Sequence, residues 1–181
     1  MMITGTTMTT EVGELLGLLH LASPALPIGG FAYSAGLESA IDLGWVGDED
    51  GLEQWLAGAL QGLAHLDLPV LLRLYRALEQ GDNEALAHWN DFVRAGRETR
   101  EFLFEDEQQA RALVRLLNGQ GVDVARLPAP PALMSAWALA ARSWGLSAEG
   151  AALGFAWSWL ENQLTVASKT LPLGQTAAQR L

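Results

Sequence analysis

Cysteine is absent from these 181 residues, so they can supply neither a disulfide framework nor a thiolate metal site. Positive charge is scarce: Lys169 is the sole lysine, and 11 basic residues face 21 acidic ones for a net charge of −10. That balance argues against broad nucleic-acid binding, which needs a basic footprint. It suits docking onto basic protein surfaces and is equally an ordinary solubility device. Histidine is thin too, with His20, His65 and His88 far apart in the chain. The longest apolar runs, around 132–141 and 151–160, are too short to cross a bilayer. Residues 1–10 are threonine-rich, without the basic start and apolar core of a signal peptide. These features predict a soluble protein of a reducing, cytoplasmic compartment, without membrane or nucleic-acid partners.

No segment sustains the two-residue alternation of strands; residues 121–127 are the one short β candidate. What fills the chain is helical period. With 50% apolar and 18% charged residues, its length fits one domain burying roughly 70% of its unfolded surface. Helices are expected over 11–22, 51–67 (started by Asp48 or Asp50), from 67–69 to Gly81, from Asp82 towards Thr99, over 100–118, 131–144 and 147–168. The last is apolar nearly all round, which predicts a central position in the core. The expected fold is all-α: a flexible tail at 1–10, then a single compact helical domain of about eight to nine helices over 11–181.

Between the first two helices, residues 23–38 read SPALPIGGFAYSAGLE. Pro24 and Pro27 stop the preceding helix, Gly29 and Gly30 permit backbone angles that a Cβ forbids, and Ser34 offers a cap with Glu38 in the first turn. A bare linker has no use for Phe31 and Tyr33, so this loop is read as packed and shaped. The glycine pair is no phosphate cradle, because neither a Walker pattern with its lysine nor GxGxxG is present.

Reactive arrangements are missing. There is no cysteine nucleophile, no serine elbow and no serine with a paired histidine and acid, so no catalytic residue is assigned. Consecutive acids Glu105, Asp106 and Glu107 fan around a helix rather than converge, and no tight metal site is assigned either. Arg97 and Arg100 fall where the apolar stripe Leu86, Trp89, Val93 continues, and arginine at a core position requires an acidic partner. The competing reading is a solvated ladder of Arg94–Glu98 and Arg97–Glu101 pairs one turn apart. Seven tryptophans are expected mostly in the core.

Three blocks in order carry a resemblance. The segment SPALPIGGFAYSAGLESAIDLGWV, the RETRE run at 97–101 and WSWLENQLTVASKTLPLGQTAAQRL resemble signatures of the UreF family of urease accessory proteins, covering nearly the whole chain from Glu11. The resemblance implies an all-helical, non-catalytic chaperone for the nickel centre of urease, which holds no cofactor tightly while the complex handles nickel in transit. It implies the partners UreD (UreH in some species), the GTPase UreG and apo-urease, with a homodimer inside the complex. By position, the first signature maps onto Pro27, Gly29, Gly30, Phe31, Tyr33, Ser34 and Glu38, and the second onto Arg97, Glu98 and Thr99. The third maps onto Lys169, Pro172, Gly174, Gln175, Thr176, Gln179 and Arg180. Pro27, Gly29, Gly30, Phe31, Pro172 and Gly174 then shape the backbone, while Tyr33, Ser34, Glu38, Arg97, Glu98, Lys169, Gln175, Gln179 and Arg180 bind partners. The family ordinarily continues beyond Leu181 through helices that help dock UreD and dimerise, and the resemblance implies that these are missing. Two rivals stand: a GTPase activator supplying Arg97, Arg100 or Arg180 to UreG, and a helical interaction domain unrelated to nickel.

Overall fold

The computed structural model describes residues 5–171, with the backbone alone at 5–10 and at Phe31. Eight α-helices run through them: α1 Gly5–Leu21, α2 Leu37–Asp42, α3 Glu49–His65, α4 Asp67–Gln80, α5 Asn83–Ala95, α6 Arg100–Gly119, α7 Leu133–Ser143 and α8 Ala148–Thr170. No strand occurs among the described residues, and the β candidate at 121–127 is instead a loop carrying a 3-10 turn at Val124–Arg126. The all-α expectation holds. The helix expected from Glu11 begins at Gly5, since no proline or cap intervenes and threonine disfavours helix without breaking it.

Helix boundaries follow the local chemistry. Asp48, Asp82, Thr99 and Ser147 each accept a backbone N–H from the third residue onward, capping α3, α5, α6 and α8. Gly81 takes a left-handed φ of 70° to end α4. Ser34, by contrast, does not cap α2. The chain passes through positive φ at Ala35 and Gly36, so the helix starts two residues later, and Ser34 contributes only its backbone carbonyl to the Leu37 N–H.

The centre of the core is α7, not α8. Residues 133–141 are all buried, and α7 packs against α4, α6, α8, α1 and α5. Its alanines let neighbours approach on every side, whereas Leu153 and Trp157 of α8 face solvent. The tryptophans follow the same correction: Trp137 is fully buried, Trp45 and Trp157 are exposed, and the others are half-buried. A second, smaller cluster joins Leu37 and Ala40 of α2 to Val166, Ala167 and Leu171 at the end of α8.

Helices α3 and α4 meet almost end to end. The segment Glu49–Gln80 is long and apolar enough by length and composition to cross a membrane, with a mean hydropathy of 1.3 in its best window. It is nevertheless broken at Leu66 (φ −121°, ψ −67°), and its α4 half builds the core with Val70, Leu71, Leu74 and Leu78.

Candidate functional site

The 23–38 loop is fastened by aliphatic residues rather than by its tyrosine. Leu26 and Ile28 are buried in the main core, and Pro27 between them is exposed. Gly29 takes φ 76° into a 3-10 turn at Gly30–Ala32, an angle costly for a residue with a Cβ. The turn then delivers Tyr33, whose carbonyl accepts the Asn162 side-chain N–H of α8 at 2.7 Å.

Arg97 sits in the short joint between α5 and α6, and it turns inward. Its Nε and Nη2 donate to Asp106 Oδ1 at 3.1 and 2.7 Å, and its Nη1 donates to Asp67 Oδ1 at 2.9 Å. Burial works against the guanidinium's charge, but Asp106 and Asp67 outweigh it and hold its pKa above the ordinary arginine value. The buried reading of Arg97 therefore stands over the solvated ladder. Arg94 likewise leaves its own helix to pair with Glu107 at 2.7 Å, and Arg100 is exposed. Of the three consecutive acids, Asp106 serves Arg97, Glu107 serves Arg94 and Arg111, and Glu105 borders a cavity.

That cavity, about 450 Å³, lies beneath the loop, between the end of α3, the first half of α6 and the middle of α8. Gly30, Tyr33, Arg97 and Glu98 line it with Glu105, Gln109 and Gln163. Desolvation raises the Glu105 carboxyl to about 7, against the opposing effects of Arg97 and of the Gln109 hydrogen bond. Outside it lies an open groove, lined by residues 32–36 and Glu38 on one bank and by Arg100, Glu101, Phe102, Phe104 and Glu105 on the other. Tyr33, Ala35, Phe102 and Glu105 border both spaces.

The structure thus brings the first two sequence blocks onto one face, with Tyr33 and Ser34 half-buried and Glu38 and Glu98 exposed. Lys169 is exposed in the last turn of α8, the helix end that α2 packs against. Pro172, Gly174, Gln175, Thr176, Gln179 and Arg180 lie outside the described residues. Sequence reasoning missed Asp67, Asn90 and Gln163, whose signal was a polar residue at a core-facing helical position. Asn90, one turn from Leu86 and Val93, is fully buried. It takes the Ala132 N–H and the Ser135 hydroxyl on its carbonyl and donates to Pro130 O. Among the described residues no group of three or more His, Cys, Asp or Glu is placed to hold a metal ion.

A helical domain that fixes a loop and a joint beside an open, charged groove defines a scaffold for protein contacts. The comparisons give that class its family. The UreF family model matches residues 46–181. A urease accessory protein UreF of Chromohalobacter salexigens is 58% identical over 170 residues, covering 92% of this chain and 74% of that protein. Those of Teredinibacter turnerae and Hahella chejuensis are 52% and 51% identical, each covering 92% of this chain and 77% of the relative. The chain belongs to the UreF family of urease accessory proteins. Its role lies in urease maturation with other accessory proteins, as a chaperone and not an enzyme, which sets aside an interaction domain without a urease role.

Proposed function

We propose that this chain is the cytoplasmic adaptor of GTP-dependent nickel insertion into urease. It binds UreD (UreH), recruits the GTPase UreG and acts with them on apo-urease, as a homodimer within the complex and with nickel in transit rather than tightly held. One observation supports this reading most: blocks separated by some sixty residues meet at the groove between Tyr33, Ser34, Glu38 and the start of α6. A surface assembled from distant segments on rigid helices suits recognition of a folded partner. Lys169, Gln175, Gln179 and Arg180 of the third sequence block are assigned to UreG recognition as well.

The test is a UreG pull-down by the UreD complex of this chain carrying Glu38→Ala, Glu98→Ala or Lys169→Ala. Reduced retention of UreG is expected, together with lower urease activation on co-expression. Full retention by all three variants overturns the assignment of this face.

Arg100 favours a second reading, because it stands exposed on the groove's bank while Arg97 is held by two aspartates. If Arg100 assists hydrolysis in UreG, single-turnover GTP hydrolysis accelerates with the native chain and not with Arg100→Ala. Activation of urease without such acceleration leaves the adaptor alone.

A further inference from the structure

The cavity beneath the 23–33 loop holds two features that the fold does not use. Gln163 of α8 is fully buried and lines the cavity, yet neither its amide nitrogen nor its amide oxygen has a hydrogen-bond partner. Buried side-chain amides are nearly always satisfied, so an orphan on a cavity wall marks a place for a guest. The second feature is charge. Among the described residues that line the cavity, Arg97 is the single cation facing three carboxylates, Asp67, Asp106 and Glu105, and two of them already hold it. Glu98 and Glu161 add further negative charge to the lining. The cavity therefore carries an excess of acceptors.

Aromatic side chains, Tyr33, Phe102, Trp137, Phe155 and Trp159, share the remaining walls with aliphatic ones such as Leu26, Ile28, Leu63 and Leu133. Aromatic faces attract cations, more strongly where water is excluded. A divalent metal is the weaker candidate, since no three metal-ligating side chains converge among the described residues. An anionic guest meets repulsion from every uncommitted charge. A neutral apolar guest leaves both amide atoms of Gln163 unpaired, whereas a cation supplies a donor for the oxygen.

We propose that this cavity binds an organic cation, an alkylammonium or alkylguanidinium group, with its N–H donors on Glu105 and the Gln163 carbonyl and its alkyl body against the aromatic walls. The same chemistry has two sources, a free amine or guanidine and the arginine or lysine side chain of a partner inserted through the loop. Binding draws the Glu105 carboxyl towards its ionised form, because it supplies the counter-charge that burial withholds.

Calorimetric titration of the full chain with butylguanidine tests this, alongside its neutral isostere butylurea, the tripeptide Gly-Arg-Gly with blocked ends, and nickel chloride. Saturable binding of butylguanidine is expected, with none of butylurea, and Glu105→Gln is expected to weaken it about tenfold or more. Gln163→Met is expected to weaken it as well; should that variant fail to fold by circular dichroism, Glu105→Gln decides alone. Tighter binding of the tripeptide assigns the site to a partner side chain, and its exclusion assigns it to a free cation. Equal binding of butylurea, no saturable heat with butylguanidine, binding unchanged by Glu105→Gln, or displacement of butylguanidine by stoichiometric nickel overturns the proposal.

Discussion

Asp106 receives Arg97 on one carboxylate oxygen at 2.7 Å and the backbone N–H of Leu133 on the other at 2.9 Å. One side chain of α6 thereby joins the α5–α6 joint to the first turn of α7, the most buried helix. Leu133 N–H is one of the orphan donors that every helix N-terminus carries, and a carboxylate there also suits the helix dipole. The joint that displays Glu98 is thus set by the core.

Removing one partner from this triad leaves an uncompensated charge in a largely buried place. Arg97→Ala and Asp106→Ala are each expected to lower stability by about 2–4 kcal/mol, and Arg97→Lys to recover little of it, since an ammonium cannot span both aspartates. Urea denaturation followed by circular dichroism measures the loss. A change under about 0.5 kcal/mol in both alanine variants contradicts the buried-triad account.

Asn90 predicts a similar cost without charge. Asn90→Leu strips partners from Pro130 O, Ala132 N–H and the Ser135 hydroxyl at once. About 2–4 kcal/mol of stability is expected to go, at one to three per buried group left unmade with some relaxation. Thermal unfolding reads this as a fall in Tm of roughly 4–16 °C for a chain of this size.

Glu105 makes stability depend on pH in the direction opposite to most acids. Its folded pKa of about 7 exceeds the ordinary glutamate value of 4.5, so the folded protein holds a proton that the unfolded chain gives up. Stability contributed by this group is full below 4.5 and is lost as pH rises through 7. Discounted for the water that still reaches the carboxyl, the loss is about 1 kcal/mol. Glu105→Gln is expected to raise Tm by about 2–4 °C at pH 8 and to flatten its decline between pH 5 and 8. An unchanged pH profile in that variant counts against the raised pKa.

Gly17 sets how closely the first helix docks. A Cβ placed there meets the Trp144 carbonyl oxygen at 2.6 Å and Leu146 Cδ1 at 2.5 Å. The leucine can move, but the backbone carbonyl cannot, so Gly17→Ala is expected to cost about 1–3 kcal/mol despite alanine's better helix propensity. Faster amide hydrogen exchange in α1, with α7 unchanged, is the accompanying signature.

Much of the fold was legible because its signals are local. Asp82 after Gly81, Pro69 in the first turn of α4 and the 3.6-residue stripes all report within a few residues of themselves. Ser34 misled because capping depends on backbone angles at Ala35 and Gly36 that a Ser-Ala-Gly sequence does not reveal. For Arg97 the stripe called for an acid, but choosing Asp67 and Asp106 over Glu101 needed the packing of α4 and α6 beside the joint. α8 read as central from its apolarity alone; which apolar face is covered is a property of neighbours. Glu105 and Gln163 look like unremarkable polar positions in sequence, and become unusual only when α3, α6 and α8 enclose them.

Glu14 of α1 accepts both the backbone N–H and the hydroxyl of Ser147, the residue that caps α8. Leu18 of the same helix lies over Gly154. These partners are 133 or more residues apart in the chain. During synthesis at about 5–20 residues per second, α1 leaves the ribosome on the order of ten seconds before its docking site exists. Until then both its inner face and the outward Val12, Leu15, Leu16 and Leu19 stand uncovered. The nascent chain therefore carries an uncovered apolar helix until the start of α8 emerges for α1 to close onto.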